Sequence, residues 1–237
     1  MHTSRSSVRL GGFALVSGAL AFVGVFSYLA ARFDYPEILD GRAADVLPRL
    51  LATGSTGRAI WALYAFLPLL FVPAGVGAYM ALRRFHRGAM LLALQMAVIA
   101  ALAMMLGLMR WPSVHWHLAA LHATGTPEQQ QTVATVFDGL NTYLGNYIGE
   151  FLGELCFNVF ALLSSWTLHR AENARWVAIM GLVTGVAGLV GMFRNLTTVV
   201  GPVAEVNNYL LPLWMILFGV VLIRYRMPTE PHGVPAR

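Results

Sequence analysis

The sequence is poor in charged residues, contains no lysine and has a single cysteine. Only 11% of its 237 residues are charged, whereas a soluble domain carries roughly 25%, so polar side chains are too few to cover a water-facing surface. The lone Cys156 excludes a disulfide within the chain. The sequence also lacks a Walker loop, a Rossmann glycine fingerprint and a nucleophile elbow, which argues against ATP-driven chemistry and predicts no bound cofactor.

Apolar residues are abundant instead, at 57% of the chain. A helix needs about 20 apolar residues to cross the hydrocarbon core of a bilayer. Six stretches meet or nearly meet that length, and they predict an all-α membrane protein: a bundle of six transmembrane helices, arranged as three hairpins, in a single polytopic domain over residues 1–237. The predicted spans are 10–31, 59–82, 89–109, 146–167, 176–196 and 207–223.

The charges divide between the two sides of such a bundle. Ten arginines fall on one side: Arg5, Arg9, Arg83, Arg84, Arg87, Arg170, Arg175, Arg224, Arg226 and Arg237. That side has only two acids, Glu172 and Glu230. The opposite side holds Asp34, Glu37, Asp40, Asp45, Glu128, Asp138 and Glu205. Because positive loops stay in the cytoplasm, we predict a protein of the bacterial inner membrane with both termini in the cytoplasm. The net charge of +5 then reflects this topology, and we predict no nucleic-acid partner.

The outer connections contain signals for short helices. Val46, Leu47, Leu50 and Leu51 form one apolar stripe, which predicts a short helix lying on the membrane. The pattern Thr126-Pro-Glu-Gln fits a capping box, with Gln129 three residues after the cap. The helix that starts there can continue into the fourth span.

The third and fifth spans end alike, as Gly-Leu-Met-Arg110 and Gly-Met-Phe-Arg194. An acid and an asparagine then start the following span in each case: Asp138 with Asn141, and Glu205 with Asn207. A duplicated hairpin would explain the likeness. So would convergence, since arginine is common at the end of a span.

The fourth span carries two acids inside its apolar sequence. Glu150 and Glu154 are four residues apart, so they share one helix face, which Asn146 extends. An ionisable group within a span is costly and therefore indicates a functional site. Beside this face, glycines at 145, 149 and 153 form a ridge that allows another helix to approach closely.

Possible ion-pair partners for Glu150 and Glu154 lie near the same end of the predicted bundle. Arg110 and Arg194 end the third and fifth spans and could reach Glu150 or Asp138. The predicted ligand-binding set is Arg110, Asp138, Asn141, Asn146, Arg194, Glu205 and Asn207, with Glu150 and Glu154 as the catalytic pair of an enzyme. The alternative is an ion-paired lock that only fixes helix packing.

Three histidines, His115, His117 and His122, could in principle hold zinc. On a helix, however, His117 points away from the other two. With Trp111 and Trp116 close by in the sequence, we predict an interfacial helix here and no metal site.

A resemblance to a known family rests on short motifs along the chain. They are Tyr35-Pro36-Glu37, Val46-Leu-Pro-Arg-Leu, Trp61-x-x-Tyr64, Arg110-Trp111-Pro112, Asn141-x-Tyr143-x-Gly145 and Gly149-Glu150-x-x-Gly153. Over roughly residues 10–225 the sequence resembles the bacterial six-helix membrane family called domain of unknown function 4386. The resemblance implies the six-helix fold and no particular activity.

Three functions fit these residues. The first is an outward-facing polar site that binds or transports a small amphipathic or lipid-like molecule. The second is a membrane-embedded enzyme in which Glu150 and Glu154 act as acid and base on an isoprenoid or acyl substrate. The third is a structural or regulatory subunit that meets a membrane partner, or a second copy of itself, through its glycine ridges. In all three cases the lipid bilayer surrounds the protein.

Overall fold

The chain is almost entirely helical in a computed structural model, which describes residues 2–225. Arg226, Glu230 and Arg237, which enter the charge argument above, lie outside these residues. The helices are α1 (His2–Phe33), α2 (Ala43–Ala52), α3 (Gly54–Leu82), α4 (Arg87–Thr124), α5 (Pro127–Arg170), α6 (Arg175–Asn195) and α7 (Gly201–Arg224). All except α2 are long and apolar enough to cross a membrane, which confirms the predicted number of six spans.

The six long helices form a closed ring in chain order. Each packs against the helix before and after it, and α7 returns to pack against α1. Because every span contacts both of its neighbours, this packing does not separate the bundle into three hairpins, and that grouping stays a prediction. The ring has two ends, which we call the terminal end, where α1 begins and α7 finishes, and the hairpin end.

Glycines allow α1 to pack closely against both neighbours near the terminal end. A Cβ atom at Gly11 would lie 2.8 Å from the Cα of Gly77 in α3, and one at Gly12 would lie 2.5 Å from the carbonyl oxygen of Gly219 in α7. In lipid the helices gain from such close backbone contact because no hydrophobic effect drives them together.

Two separate apolar cores fill the ring. The core nearer the terminal end is built on large aromatic side chains such as Phe157, Phe160, Trp214 and Phe218. The core of the hairpin end is centred on Trp61 and Trp111, whose rings stack with centroids 4.8 Å apart. Within the described part of the chain, this second core takes no residue from α6 or α7. At the hairpin end the described residues of α6 and α7 therefore do not contribute to the apolar core.

The hairpin end takes its name from α4 and α5, which continue beyond the predicted spans. They contain 38 and 44 residues, which is about 57 and 66 Å at ~1.5 Å per residue, or roughly twice the ~30 Å hydrocarbon core. Residues 111–145, expected to form a loop with helical parts, are helical almost throughout. A π turn carries α4 through Pro112, with the amide of His115 donating to the carbonyl of Arg110 at 2.8 Å.

The tip of this projecting hairpin has the predicted capping box. The Thr126 hydroxyl accepts from the Gln129 amide at 3.4 Å, and the Gln129 side chain accepts from the Thr126 amide at 2.9 Å. The helix that begins at Pro127 continues without a break into the fourth span, as its start signal allowed.

The short helix α2 forms where the sequence predicts it, but its apolar stripe is covered by protein. Val46, Leu47 and Leu50 are fully buried in the core that includes Leu118 and Phe137 of the projecting hairpin. The stripe therefore anchors α2 to the hairpin, and does not hold it on lipid.

Candidate functional site

The glycine ridge of α5 fixes the depth of the two acids. A Cβ atom at Gly107 of α4 would lie 2.5 Å from the Cα of Gly149, and one at Gly153 would lie 2.6 Å from Cγ of Met104. Glu150 therefore lies level with Gly107 and Glu154 level with Met104. Along α4 these two levels lie about one and two helical turns from Arg110, in the direction of the terminal end, at ~1.5 Å per residue.

The same contacts show that the glycine ridge of α5 packs against α4. Gly145 faces the guanidinium of Arg110, Gly149 faces Gly107 and Gly153 faces Met104, so α4 of the same chain covers all three glycines. This ridge therefore serves packing within the chain. The idea that glycine ridges hold a membrane partner or a second copy of the chain stays a prediction.

A long π-helical stretch, Asn141–Leu152, shapes this part of α5. A π turn is wider than an α turn because its backbone hydrogen bonds run from residue i to i+5, and such turns are frequent at functional sites. The stretch begins at Asn141 and includes Glu150, while Glu154 follows in regular α-helix. The fourth span thus changes its helical geometry between its polar residues.

Both acids bind one guanidinium group. Arg194 donates to both oxygens of Glu154 at 2.7 Å through Nη1 and Nη2, and Nη2 also donates to Oε2 of Glu150 at 2.9 Å. The fork-like contact with Glu154 is the strongest geometry that arginine and carboxylate adopt. The side chains of Arg194, Glu150 and Glu154 are 31%, 27% and 24% exposed, so the cluster is only partly enclosed.

Asn195 completes the cluster. Its Nδ2 donates to Oε2 of Glu150 at 2.9 Å and to the backbone carbonyl of Asn146 at 3.1 Å. Oε2 of Glu150 therefore accepts two hydrogen bonds. Oε1 of Glu150 accepts none from the described residues, and it is not among their fully buried atoms. One carboxylate oxygen inside a span is thus both accessible and free to accept.

A second network surrounds Arg110, which is only 4% exposed. Its Nε donates to Oδ1 of Asn141 at 3.1 Å, and its Nη1 donates to the carbonyl of Gly107 at 2.6 Å. Asn141 in turn donates to the carbonyl of Leu39, which ties the loop after α1 to α5. The guanidinium also lies 5.1 Å from the centre of the Trp111 ring, a favourable cation–π geometry.

Two phenols lie between the networks. The hydroxyl groups of Tyr35 and Tyr64 are hydrogen-bonded at 3.2 Å. Burial raises the pKa of the Tyr35 phenol above its ordinary value, and the charge of Glu150 adds to this rise. The bond to Tyr64 and the charges of Arg110 and Arg194 act in the opposite direction. Tyr35 is therefore a neutral hydrogen-bonding group near Glu150 at physiological pH.

Some of the residues in these two networks were predicted from the sequence, and others were not. Glu150, Glu154 and Arg194 meet as one cluster, Arg110 meets Asn141, and Asn146 contributes its backbone carbonyl. Asn195, Tyr35 and Tyr64 were not among the predicted ligand-binding residues. The only available signal was the position of Asn195 next to Arg194, and of both tyrosines inside motifs that carried the family resemblance.

Three of the predicted ligand-binding residues take no part in these contacts. Asp138 and Glu205 are exposed. Asn207 is buried, and its Oδ1 has no hydrogen-bond partner in residues 2–225. The repeat hypothesis predicts equivalent partners in the two hairpins, yet Arg110 bonds Asn141 while Arg194 bonds the two acids. The arginine–asparagine contact is therefore not repeated, since Asn207 Oδ1 accepts no bond from Arg194.

The histidines that could in principle hold zinc do not form a cluster in the structure. His115 is fully buried, between the rings of Trp111 and Phe137, whereas His117 is exposed. No group of three or more potential metal ligands occurs among the described residues.

The fold and its charges define a class: a multi-pass helical membrane protein with an ion-paired cluster one to two turns inside its spans. The chain belongs to the family described as Domain of unknown function (DUF4386), whose family model matches residues 10–225. No curated protein matches the chain. No solved structure matches it either.

Proposed function

We propose that the protein binds a small amphipathic or lipid-like molecule at the hairpin end, with the ligand's polar group on Glu150. The observation that supports this most directly is the free, accessible Oε1 of Glu150 within a span. Since carboxylate oxygens accept hydrogen bonds, the matching head group is a donor, such as a hydroxyl or a protonated amine. The partial exposure of the Glu150 and Arg194 side chains, 27% and 31%, is consistent with access for such a group.

The two acids have different parts in this proposal. Glu154 uses both oxygens on Arg194, so its role is to hold the arginine in place. Glu150 shares only one oxygen with Arg194 and Asn195 and is therefore the ligand-binding acid. The alternative, a membrane-embedded enzyme, would also depend on Glu150, as the group with an oxygen free to take a proton.

Replacing Glu150 by glutamine tests the site. A hydrogen bond to a charged group contributes about 1.5–3 kcal/mol, so we expect the Glu150→Gln protein to retain its ligand about 10- to 100-fold less well. Native mass spectrometry of protein purified in mild detergent would detect a specific bound mass in the wild type. Asp138→Asn is the matched control, because Asp138 is exposed and outside the cluster.

The outcomes separate the candidate functions. A specific mass that the wild type and Asp138→Asn keep and Glu150→Gln loses would support the binding site. A chemically altered mass on Glu150→Gln, relative to that on the wild type, would favour the enzyme. No specific mass on any of the three proteins, with lower thermal stability for Glu150→Gln, would contradict both and leave the acids as a packing lock.

We also propose that both termini face the cytoplasm of a bacterial inner membrane. The arginines of the α3–α4 connection, Arg83, Arg84 and Arg87, support this orientation, because the positive-inside rule places such short loops in the cytoplasm. Green fluorescent protein fused after Arg224 is then expected to fluoresce, and alkaline phosphatase fused after Gly125 to be active. The reverse pattern of reporter activity would overturn the orientation and place the Glu150 site towards the cytoplasm.

A further inference from the structure

A shallow groove of about 340 Å³ lies on the outside of the ring at the hairpin end, between α3 and α4. Small side chains, Ala59 and Ala62, form its α3 wall, and Met109 and Pro112 form its α4 wall. No residue of the Glu150 cluster lines it. Its volume falls at the lower end of the range for small-molecule sites, roughly 300–1,000 Å³.

Arg58 is fixed at this groove by two contacts. Its Nε donates to the carbonyl of Pro112 at 2.9 Å, and its guanidinium lies 5.4 Å from the centre of the Trp116 ring. Neither terminal nitrogen of Arg58 has a hydrogen-bond or ion-pair partner among residues 2–225. The cation is therefore held in position while its two terminal nitrogens remain available as donors.

The surroundings of Arg58 place it at the level of lipid head groups. Further along the same exposed side of α3, Leu63 and Phe66 are 50% and 52% exposed, which indicates that this side faces lipid. Arg58 precedes them at the end of the span, next to Trp116, and arginine and tryptophan both favour the membrane interface. The groove thus runs from a fixed cation down into an apolar region.

We propose that this groove binds the phosphate diester of a membrane phospholipid. The terminal nitrogens of Arg58 would donate to two phosphate oxygens, which is a geometry that arginine favours. The hydroxyl of Ser55 lines the same end of the groove and adds a hydrogen-bonding group. One acyl chain would lie along Ala59 and Ala62, where the short side chains leave space.

Either a phospholipid or a free phosphate ester could supply the phosphate group that Arg58 would bind. The groove favours the lipid because its walls beyond Arg58 are apolar and open to the outside of the ring. A neutral lipid such as diacylglycerol would fill the same walls but would leave Arg58 without an anion. These differences define the experiment.

The experiment compares lipid retention in native mass spectrometry, with the protein in the phosphate-free detergent dodecyl maltoside and a small amount of phosphatidylglycerol or of diacylglycerol added. We expect the wild type to retain phosphatidylglycerol, and the Arg58→Gln protein to retain about tenfold less, as loss of one charged hydrogen-bonding group implies. Arg42→Gln is the matched control, because Arg42 is also an exposed arginine near this end but is paired with Asp45. Ala62→Leu keeps the cation and fills the groove, so it is expected to lose the lipid too.

Four results would overturn the proposal. Equal retention of phosphatidylglycerol by Arg58→Gln and wild type would show that the cation does not recognise the lipid. Equal retention of diacylglycerol and phosphatidylglycerol by the wild type would show that phosphate plays no part. Displacement of the lipid by millimolar glycerol phosphate, or full retention by Ala62→Leu, would show that the acyl chain does not occupy the groove.

Discussion

Replacing Arg194 by glutamine is expected to destabilise the folded protein by about 2–3 kcal/mol. Removing one partner from a fully buried ion pair costs about 3–5 kcal/mol, because the other charge is left without compensation. The Arg194 cluster is about a quarter exposed, which reduces the expected loss, but both Glu150 and Glu154 would lose their counter-charge together. Unfolding of purified protein in mild detergent, followed by circular dichroism, measures the change.

A rescue variant shows whether charge is the cause. Replacing both acids by glutamine in the Arg194→Gln background removes the uncompensated charges, so most of the lost stability is expected to return. Arg42→Gln serves as the control for loss of an arginine, since Arg42 and Asp45 form an ion pair whose side chains are 85% and 55% exposed, and such surface pairs contribute little. If Arg194→Gln unfolds at the same temperature as the wild type, the cluster is not an intramembrane ion pair.

The second large effect is expected at the contact between α4 and α5. A single added methyl group, in Gly107→Ala, would lie 2.5 Å from the Cα of Gly149 and 2.9 Å from the carbonyl oxygen of Leu144. Both are backbone atoms, so the two helices would have to separate. Overpacking of this kind costs about 1–3 kcal/mol, and we expect the upper part of that range here because the contact also holds the site in place.

The matched control for that prediction is Gly139→Ala in α5. A Cβ atom at Gly139 would meet nothing within 4 Å, so the variant is expected to be neutral or slightly more stable, since alanine favours a helix by about 1 kcal/mol over glycine. Both variants are measured by unfolding in detergent as for Arg194. Equal stability of Gly107→Ala and Gly139→Ala would contradict the close helix contact.

The motifs that carried the family resemblance are distant in sequence but adjacent in the folded chain. Trp61 stacks on Trp111, Tyr64 bonds Tyr35, and Arg110 bonds Asn141. The glycines at 145, 149 and 153 pack along α4 beside this set. The resemblance therefore maps onto one end of the bundle, next to Glu150.

The extent of α4 and α5 illustrates where local sequence rules were insufficient. The predicted third span ended at residue 109 because Arg110, Pro112 and the histidines interrupt the apolar run. A proline normally ends a helix, since it lacks an amide donor. Here a π turn absorbs Pro112, and burial of Trp111 and His115 against Phe137 supports the continued helix. That burial depends on α5 and could not be seen in the local sequence.

The sequence by itself determined the number of spans, the cap at Thr126 and the acids that would lie inside the membrane. Each depends on residues that are close along the chain: about 20 apolar residues for a span, four residues for a capping box, one turn for two acids on a face. Only the tertiary structure decided that Arg194 and not Arg110 holds Glu150 and Glu154, and that Asp138 and Glu205 remain outside the cluster. The physical reason is that the partner of a side chain depends on how each helix is rotated and how deeply it sits against its neighbours, and contacts such as Gly107 against Gly149 set both.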